Sequence, residues 1–313
     1  MNEKRRQADP TRERRPGMDD RGPISVGVVG LGIMGSSISA NLARSGMATG
    51  GYDIVETRRT DASRHGVKAA ASVAELAGRA PIILTSLPSS DALLAVAKEL
   101  ARNKGAAEIV IEASTLALVV KEQANEILER SGITLLDCPL SGTGAQARTK
   151  DLAVYASGDK AAYTRCIPVF EGFARAHTYL GAFGNGSKMK FLANLLVAIH
   201  NVSAAEAIVL AKKAGIDPML AVKVLGDGAG SSRMLQVRGP MMAKDDYSDA
   251  TMKISVWQKD MKIIGDFART LGAPTPLFSA TASIYDAAME QGFAEADTAS
   301  VCAVLERLAS DWE

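Results

Sequence analysis

Residues 24–46, ISVGVVGLGIMGSSISANLARSG, constrain the fold most, because an apolar β-branched run passes through a glycine turn straight into a helix start. Gly30, Gly32 and Gly35 stand at G-x-G-x-x-G spacing. At that spacing the first glycine permits a tight turn, the second lets the backbone approach a pyrophosphate, and the third lets helix close on strand. Leu31, Ile33 and Met34 fill the variable positions, so the open N–H groups and positive end of a helix beginning near Ile33 would face phosphates. A short second strand around Tyr52 then ends at Asp53, where a carboxylate can accept a ribose 2′-hydroxyl. That predicts NAD. A 2′-phosphate would be repelled, and Ile54 follows rather than an arginine; Arg58 and Arg59 read as a solvated helix start and leave NADP as the less favoured alternative.

With 313 residues, 47% of them hydrophobic, the chain can bury a large core and is expected to form about two domains. Residues 1–22 are highly charged without apolar periodicity and read as a disordered extension, with no apolar segment of the kind a signal peptide needs. Residues 23–185 alternate short apolar runs with helical stretches, as a parallel sheet with crossover helices does. Candidate strands are SVGVVG, the run near Tyr52, PIILTSL, EIVIEAS, ITLLDCP and DLAVYASG, with helices over 73–80 and 116–130. The loops after Gly30, Leu87, Ser114 and Pro139 should then share one crevice beyond the strand ends. From 186 to 313 the strand signal vanishes and helices are predicted over 187–214, 218–225, 255–271 and 276–291. The glycine-rich stretch 228–253 reads as a loop, either covering a substrate or merely connecting helices.

Composition excludes several classes of function. A net charge of +1 gives no basic field for nucleic acid, and Asn194, His200, Asn201 and Glu206 interrupt the longest apolar stretch, so no membrane span is expected. Cys138, Cys166 and Cys302 are too few and too scattered for a disulfide framework or a metal site, which suits a reducing cytoplasm.

Two constellations can carry chemistry. In GNGSKMKFLANLL, Lys190 and Asn194 lie four apart and therefore on one helix face. A lysine beside an apolar cleft can exchange a proton with a hydroxyl or carbonyl, and the carboxamide can orient the same oxygen; a solvated lysine and an ordinary helix asparagine are the plainer alternative. In DCPLSGTGAQARTKDL, Ser141, Gly142 and Thr143 follow a strand and could offer N–H groups and a hydroxyl to a carboxylate, or form a surface loop.

Taken in order, GLGIMG, LP at Leu87 and Pro88, EASTL around Thr115, CPLSG, G-x-x-x-K-x-x-x-N ending at Asn194, EAIVLAKKAGID, and KD at Lys259 and Asp260 resemble the β-hydroxyacid dehydrogenase family from Ile24 onward. The resemblance implies a Rossmann-type α/β domain joined by a long helix to an all-helical domain, assembled as a homodimer or homotetramer. It implies Lys190 as acid-base, Asn194 as its orienting partner, Ser141, Gly142 and Thr143 on a small carboxylate substrate, and the 30–35 turn, Asp53, Leu87, Pro88, Thr115 and Lys259 on the cofactor. The implied reaction is hydride exchange between a β-hydroxy acid and NAD. Lys190 disfavours an imine reductase, and together with Asn194 it disfavours a noncatalytic cofactor-binding regulator. The short helical region disfavours a decarboxylating 6-phosphogluconate dehydrogenase. Departures cluster around the substrate: Thr143, Gln146 and Lys150 replace family glycines, Met252 an aromatic, and Arg233 a tryptophan-like position. They fit a polar sugar acid better than hydroxyisobutyrate.

Overall fold

The computed structural model describes residues 26–310, so the charged segment 1–22 lies outside the described residues. The chain runs through β1 (Val26–Val29), α1 (Ile33–Arg44), β2 (Thr49–Tyr52), α2 (Glu56–Ser63), β3 (Lys68–Ala69), α3 (Val73–Arg79), β4 (Ile82–Thr85), α4 (Ser90–Arg102), β5 (Ile109–Glu112), α5 (Leu118–Glu129) and β6 (Thr134–Asp137). These six strands form one parallel sheet in the order β3-β2-β1-β4-β5-β6. Strands β1, β4 and β5 are buried along their whole length, as helices on both faces require, and so read as unbroken apolar runs. Ser72 and Ser89 cap α3 and α4 by accepting the N–H groups of Glu75 and Ala92. In register, Val29 pairs with Thr85, Thr85 with Glu112, and Glu112 with Asp137. The carboxyl ends of β1, β4, β5 and β6 therefore form one row, and the loops that leave them share an edge.

Residues 151–158 were expected to extend this sheet, and they do not. After β6 come β7 (Leu140–Ser141), α6 (Gly144–Arg148), β8 (Ala153–Ala156), α7 (Lys160–Phe173) and β9 (Ala176–Tyr179). β8 runs antiparallel to β7 and parallel to β9 in a separate three-stranded sheet. The segment between β7 and β8 is too short for a parallel crossover, so the chain doubles back. The missing sixth strand of the main sheet is the two-residue β3, too short to leave a periodic signal.

The helical part comprises α8 (Asn185–Lys213), α9 (Pro218–Asp227), α10 (Arg233–Lys244), α11 (Ile254–Thr270), α12 (Pro276–Glu290) and α13 (Val301–Ser310). Helix α8 is long and apolar enough to cross a membrane, contrary to the reading that its polar residues break it. Those residues are absorbed differently: Asn194 and Asn201 are buried and hydrogen-bonded, while Phe191, Ala198, Val202, Ala205 and Ile208 build the core shared with the surrounding helices. The expected loop 228–253 also holds a helix, α10, over nearly half its length. Ser232 caps α10 by accepting Leu235 N–H, and Leu235, Arg238, Gly239 and Met242 bury one face. Gly239 suits close packing there, since a Cβ would come within 3.0 Å of Val222 Cγ2.

Lys150 has φ +62°, a left-handed conformation in which a side chain costs about 1–2 kcal/mol. The glycine that the family resemblance leads one to expect at this position would avoid that cost. Lys150→Gly should raise stability by up to about 1 kcal/mol, after the extra unfolded-state freedom of glycine is subtracted. Denaturant midpoints measure this, and a lower midpoint for the variant would contradict it.

Candidate active site

At the first crevice loop, Gly30 adopts φ +90°, and a Cβ there would stand 2.2 Å from the Ser86 carbonyl oxygen. A Cβ on Gly35 would stand 1.8 Å from the Gly30 carbonyl oxygen. Both glycines are demanded by the protein's own packing. Gly32 is different: it is the N-cap of α1, no side chain caps the helix, and a Cβ on it would meet nothing within 4 Å. The space over the helix start is thus open, and the N–H groups of the first turn face it. This is the shape a pyrophosphate requires, and it gives the middle glycine a reason that internal packing does not.

Asp53 lies just beyond β2 and is buried. Its Oδ2 accepts Leu31 N–H at 2.8 Å and its Oδ1 accepts Val55 N–H at 2.8 Å, so it ties the glycine turn to the end of β2. Arg58 and Arg59 are not simply solvated. Arg58 Nη1 lies 3.4 Å from Asp53 Oδ2, and Arg59 Nη1 donates to the Asp53 carbonyl at 2.6 Å. Leu87 N–H donates to Ser114 Oγ at 2.8 Å, which couples the loops after β4 and β5; Pro88 beside it is exposed.

The first turns of α8 face the same edge. Lys190 is half-buried and Asn194 buried. Asn194 Nδ2 donates to Asp260 Oδ2 at 2.9 Å, bringing α11 alongside α8. Lys259 Nζ lies 3.6 Å from Asp260 Oδ1 and donates to the Thr115 carbonyl at 2.8 Å, spanning from α11 to the loop after β5. Lys190, Asn194, Lys259 and Thr115 are therefore gathered around Asp260. Burial pulls the Lys190 ammonium below the ordinary lysine value, against the opposing pull of Asp260, and the like charge of Lys259 lowers it further. Burial likewise raises the Asp260 carboxyl, although Lys259 and Lys190 pull it down.

The loop carrying Ser141, Gly142 and Thr143 closes differently from an open nest. Thr143 N–H is taken by Gln146 Oε1 at 3.0 Å, and Thr143 Oγ1 in turn accepts Gln146 N–H, a capping box that starts α6. Gln146 also donates to Asp151 Oδ2 at 3.0 Å. A Cβ on Gly144 would stand 2.4 Å from Ile33 Cγ2, so this loop lies over the first residue of α1.

Asp260 was part of a sequence motif but had no assigned role. Its signal was available: it falls on the α11 face that buries Trp257, Met261 and Ile264, where an acid needs a reason.

Residues 25–181 match the family model of the NAD binding domain of 6-phosphogluconate dehydrogenase, and residues 184–305 that of the NAD-binding domain of NADP-dependent 3-hydroxyisobutyrate dehydrogenase. An L-threonate dehydrogenase of Cupriavidus necator is 31% identical over 88% of this chain and 94% of its own length. The chain belongs to the β-hydroxyacid dehydrogenase family. Within that family, glyoxylate/succinic semialdehyde reductase 2 of Arabidopsis thaliana is 27% identical over 92% of this chain and 81% of its own length. A Mycobacterium tuberculosis 3-hydroxyisobutyrate dehydrogenase structure with L-serine superposes with a TM-score of 0.82 at 28% identity, covering 90% of this chain and 99% of that one. An imine reductase from Pseudomonas sp. shares the fold alone, with a TM-score of 0.58 at 21% identity. The protein is thus a nicotinamide-dependent oxidoreductase of the β-hydroxyacid dehydrogenase type.

The glycines should separate by experiment. Gly32→Ala should cost less than about 1 kcal/mol of stability while weakening NADH binding about tenfold or more. Gly35→Ala should itself cost about 1–3 kcal/mol. Melting curves with NADH fluorescence titration measure both, and unchanged NADH affinity in Gly32→Ala would contradict the reading of that open space.

Proposed function

We propose that this enzyme interconverts a small, polar β-hydroxy acid and its semialdehyde or keto acid, with Lys190 as acid-base. The observation that carries the reading is the meeting of Lys190, Asn194 and Lys259 around Asp260, directly beside the Thr115 loop of the nucleotide crevice. A lowered ammonium pKa suits Lys190 to take the proton of a hydroxyl during oxidation, or to return it to a carbonyl oxygen during reduction. Asn194 turns its amide N–H toward Asp260, which leaves its carboxamide fixed beside the lysine. Ser141 and Gly142 are assigned to the substrate carboxylate, with Thr143 shaping that loop through its cap on α6. The bound nicotinamide supplies hydride exchange with the carbinol carbon. Gly30, Leu31, Gly32, Ile33, Met34 and Gly35 would hold its pyrophosphate, Asp53 its ribose, and Leu87, Pro88, Thr115 and Lys259 the remainder of the crevice.

Asp53 supports NAD over NADP, because a buried carboxylate at the ribose position repels a 2′-phosphate. A sugar-acid substrate is supported by the polar residues Thr143 and Gln146 of the substrate loop and by Arg233, and by the name of the L-threonate dehydrogenase relative. Arg233 opens α10 within electrostatic reach of Asp151 on the substrate loop, so a second polar group of the substrate has a cation nearby. The three free, buried cysteines support a cytoplasmic setting.

Oxidation needs neutral Lys190, so kcat/KM should rise with pH through a pKa below the usual lysine value and then level; reduction should show the opposite slope. Asp260→Asn removes the carboxylate that opposes this lowering, so the rising limb should move to lower pH. Lys190→Met should lower kcat by about 100-fold or more with NADH affinity intact. Assays with L-threonate, glycerate and 3-hydroxyisobutyrate, each with NAD and NADP, measure these effects. Near-normal turnover in Lys190→Met would sink the assignment, and better efficiency with NADP would sink the cofactor preference.

Leu192 and Leu196 of α8 and Met219, Leu220 and Val224 of α9 are exposed, and an apolar set of this size favours self-association. The enzyme is inferred to form a homodimer or homotetramer. Light scattering should give at least twice the 32.9 kDa chain mass, and a monomer at micromolar concentration would refute the inference.

A further inference from the structure

Glu112 and Asp137 end the neighbouring strands β5 and β6 and pair directly in register. Both side chains are fully buried, so two carboxylates lie side by side in a medium that amplifies their repulsion. Lys121 of α5, also fully buried, reaches between them, with Nζ 2.6 Å from Glu112 Oε2 and 2.8 Å from Asp137 Oδ1. Burial alone would lower its ammonium pKa, but Asp137 and Glu112 outweigh that and raise it, so Lys121 stays charged. A triad of this kind costs desolvation and is weak evidence for stability by itself, so its outward connections are informative.

Each carboxylate spends its remaining capacity on a different part of the active site. Asp137 Oδ2 accepts Ser187 N–H at 2.7 Å, and Asp137 Oδ1 accepts Ser187 Oγ at 2.8 Å. Helix α8 has no side-chain cap of its own, because its N-cap is Gly184, so Asp137 caps it from the end of β6. Ser187 is one turn before Lys190. Glu112 Oε1 accepts Ser114 N–H at 2.9 Å, and Ser114 Oγ receives Leu87 N–H at 2.8 Å. The adjacent Thr115 carbonyl takes the Lys259 ammonium at 2.8 Å.

We propose that Glu112, Lys121 and Asp137 are positioning residues for the reaction: through one shared ammonium they fix the start of the helix bearing Lys190 against the loops that receive the nicotinamide nucleotide. Asp137 is the arm toward the acid-base, and Glu112 the arm toward the cofactor. The proposal rests on the acid-base reading of Lys190 for its first arm alone.

Lys121→Met would strand two neighbouring buried carboxylates and is expected to unfold, so the test uses neutral isosteres. In Asp137→Asn the single amide oxygen cannot serve both Lys121 and Ser187 N–H, while Glu112 and Lys121 remain a neutral pair. Glu112→Gln faces the same conflict between Lys121 and Ser114 N–H. Asp137→Asn should lower kcat about tenfold or more in folded protein while leaving NADH affinity within about twofold. Glu112→Gln should weaken NADH binding at least about fivefold, with the smaller effect on kcat. NADH fluorescence titration, circular dichroism, and steady-state rates with L-threonate and 3-hydroxyisobutyrate supply the readouts, with Lys190→Met measured alongside. Turnover surviving in Lys190→Met marks failure of the acid-base reading, and the NADH affinity of Glu112→Gln still judges the triad. Failure of either carboxamide variant to fold assigns the triad to stability alone and overturns the proposal. So does parallel loss of kcat and NADH affinity in both variants, or no change in either.

Discussion

The close seat of α8 on the strand ends governs the rest of the site. A Cβ on Gly186 would stand 2.3 Å from the Tyr155 carbonyl oxygen and 2.6 Å from that of Asp137, so only glycine lets the helix start this close to β6 and β8. Gly186 N–H and Ser187 N–H are then received by Ser157 Oγ and Asp137 Oδ2. From that fixed origin the helical repeat carries Lys190 and Asn194 to the crevice edge on consecutive turns. Helix α11 follows, drawn in by the Asn194 to Asp260 hydrogen bond, and Lys259 returns the contact to Thr115. Sheet and helical layers meet through a short chain of polar bonds that runs from Asn194 through Asp260 and Lys259 to the Thr115 loop.

Charge explains why this meeting place suits anions. Lys190 and Lys259 share one carboxylate, Asp260, so the cluster carries an excess of positive charge whenever both lysines are protonated. The carboxylate substrate proposed above would offset that excess, and a partly desolvated cleft would strengthen the attraction. Burial above all, with a smaller push from the Lys259 charge and against the pull of Asp260, makes deprotonating Lys190 easier than deprotonating a lysine in water. In the proposed reaction, binding an anion and readying a base would thus arise from one arrangement.

Much of this was legible in the residues. The glycine turn, the buried runs of β1, β4 and β5, and the helical periodicity after Gly186 each report a strong local preference that the packing agrees with. What escaped depended on long-range geometry. β8 reads like any other apolar strand, and only the brevity of its link to β7 turns it into a second sheet. Helix α10 was hidden by Gly239 and Pro240, whose local cost is overcome by burial against α8 and α9. Lys121 looks like a surface lysine unless one notes that it shares a face with Ala124 and Leu128, and even then its two partners come from strand ends that only the register aligns. Thr143 reads as a small loop residue when its T-x-x-Q spacing to Gln146 is passed over, and that spacing is the capping box that takes its N–H.

The most direct test of the account is a crystal structure of the ternary complex with NAD and a substrate acid such as L-threonate. Lys190 Nζ should lie within about 2.6–3.2 Å of the reacting hydroxyl oxygen, with the carboxylate held by the 141–143 loop. A complex in which that ammonium points into solvent, away from the reacting carbon, would contradict it.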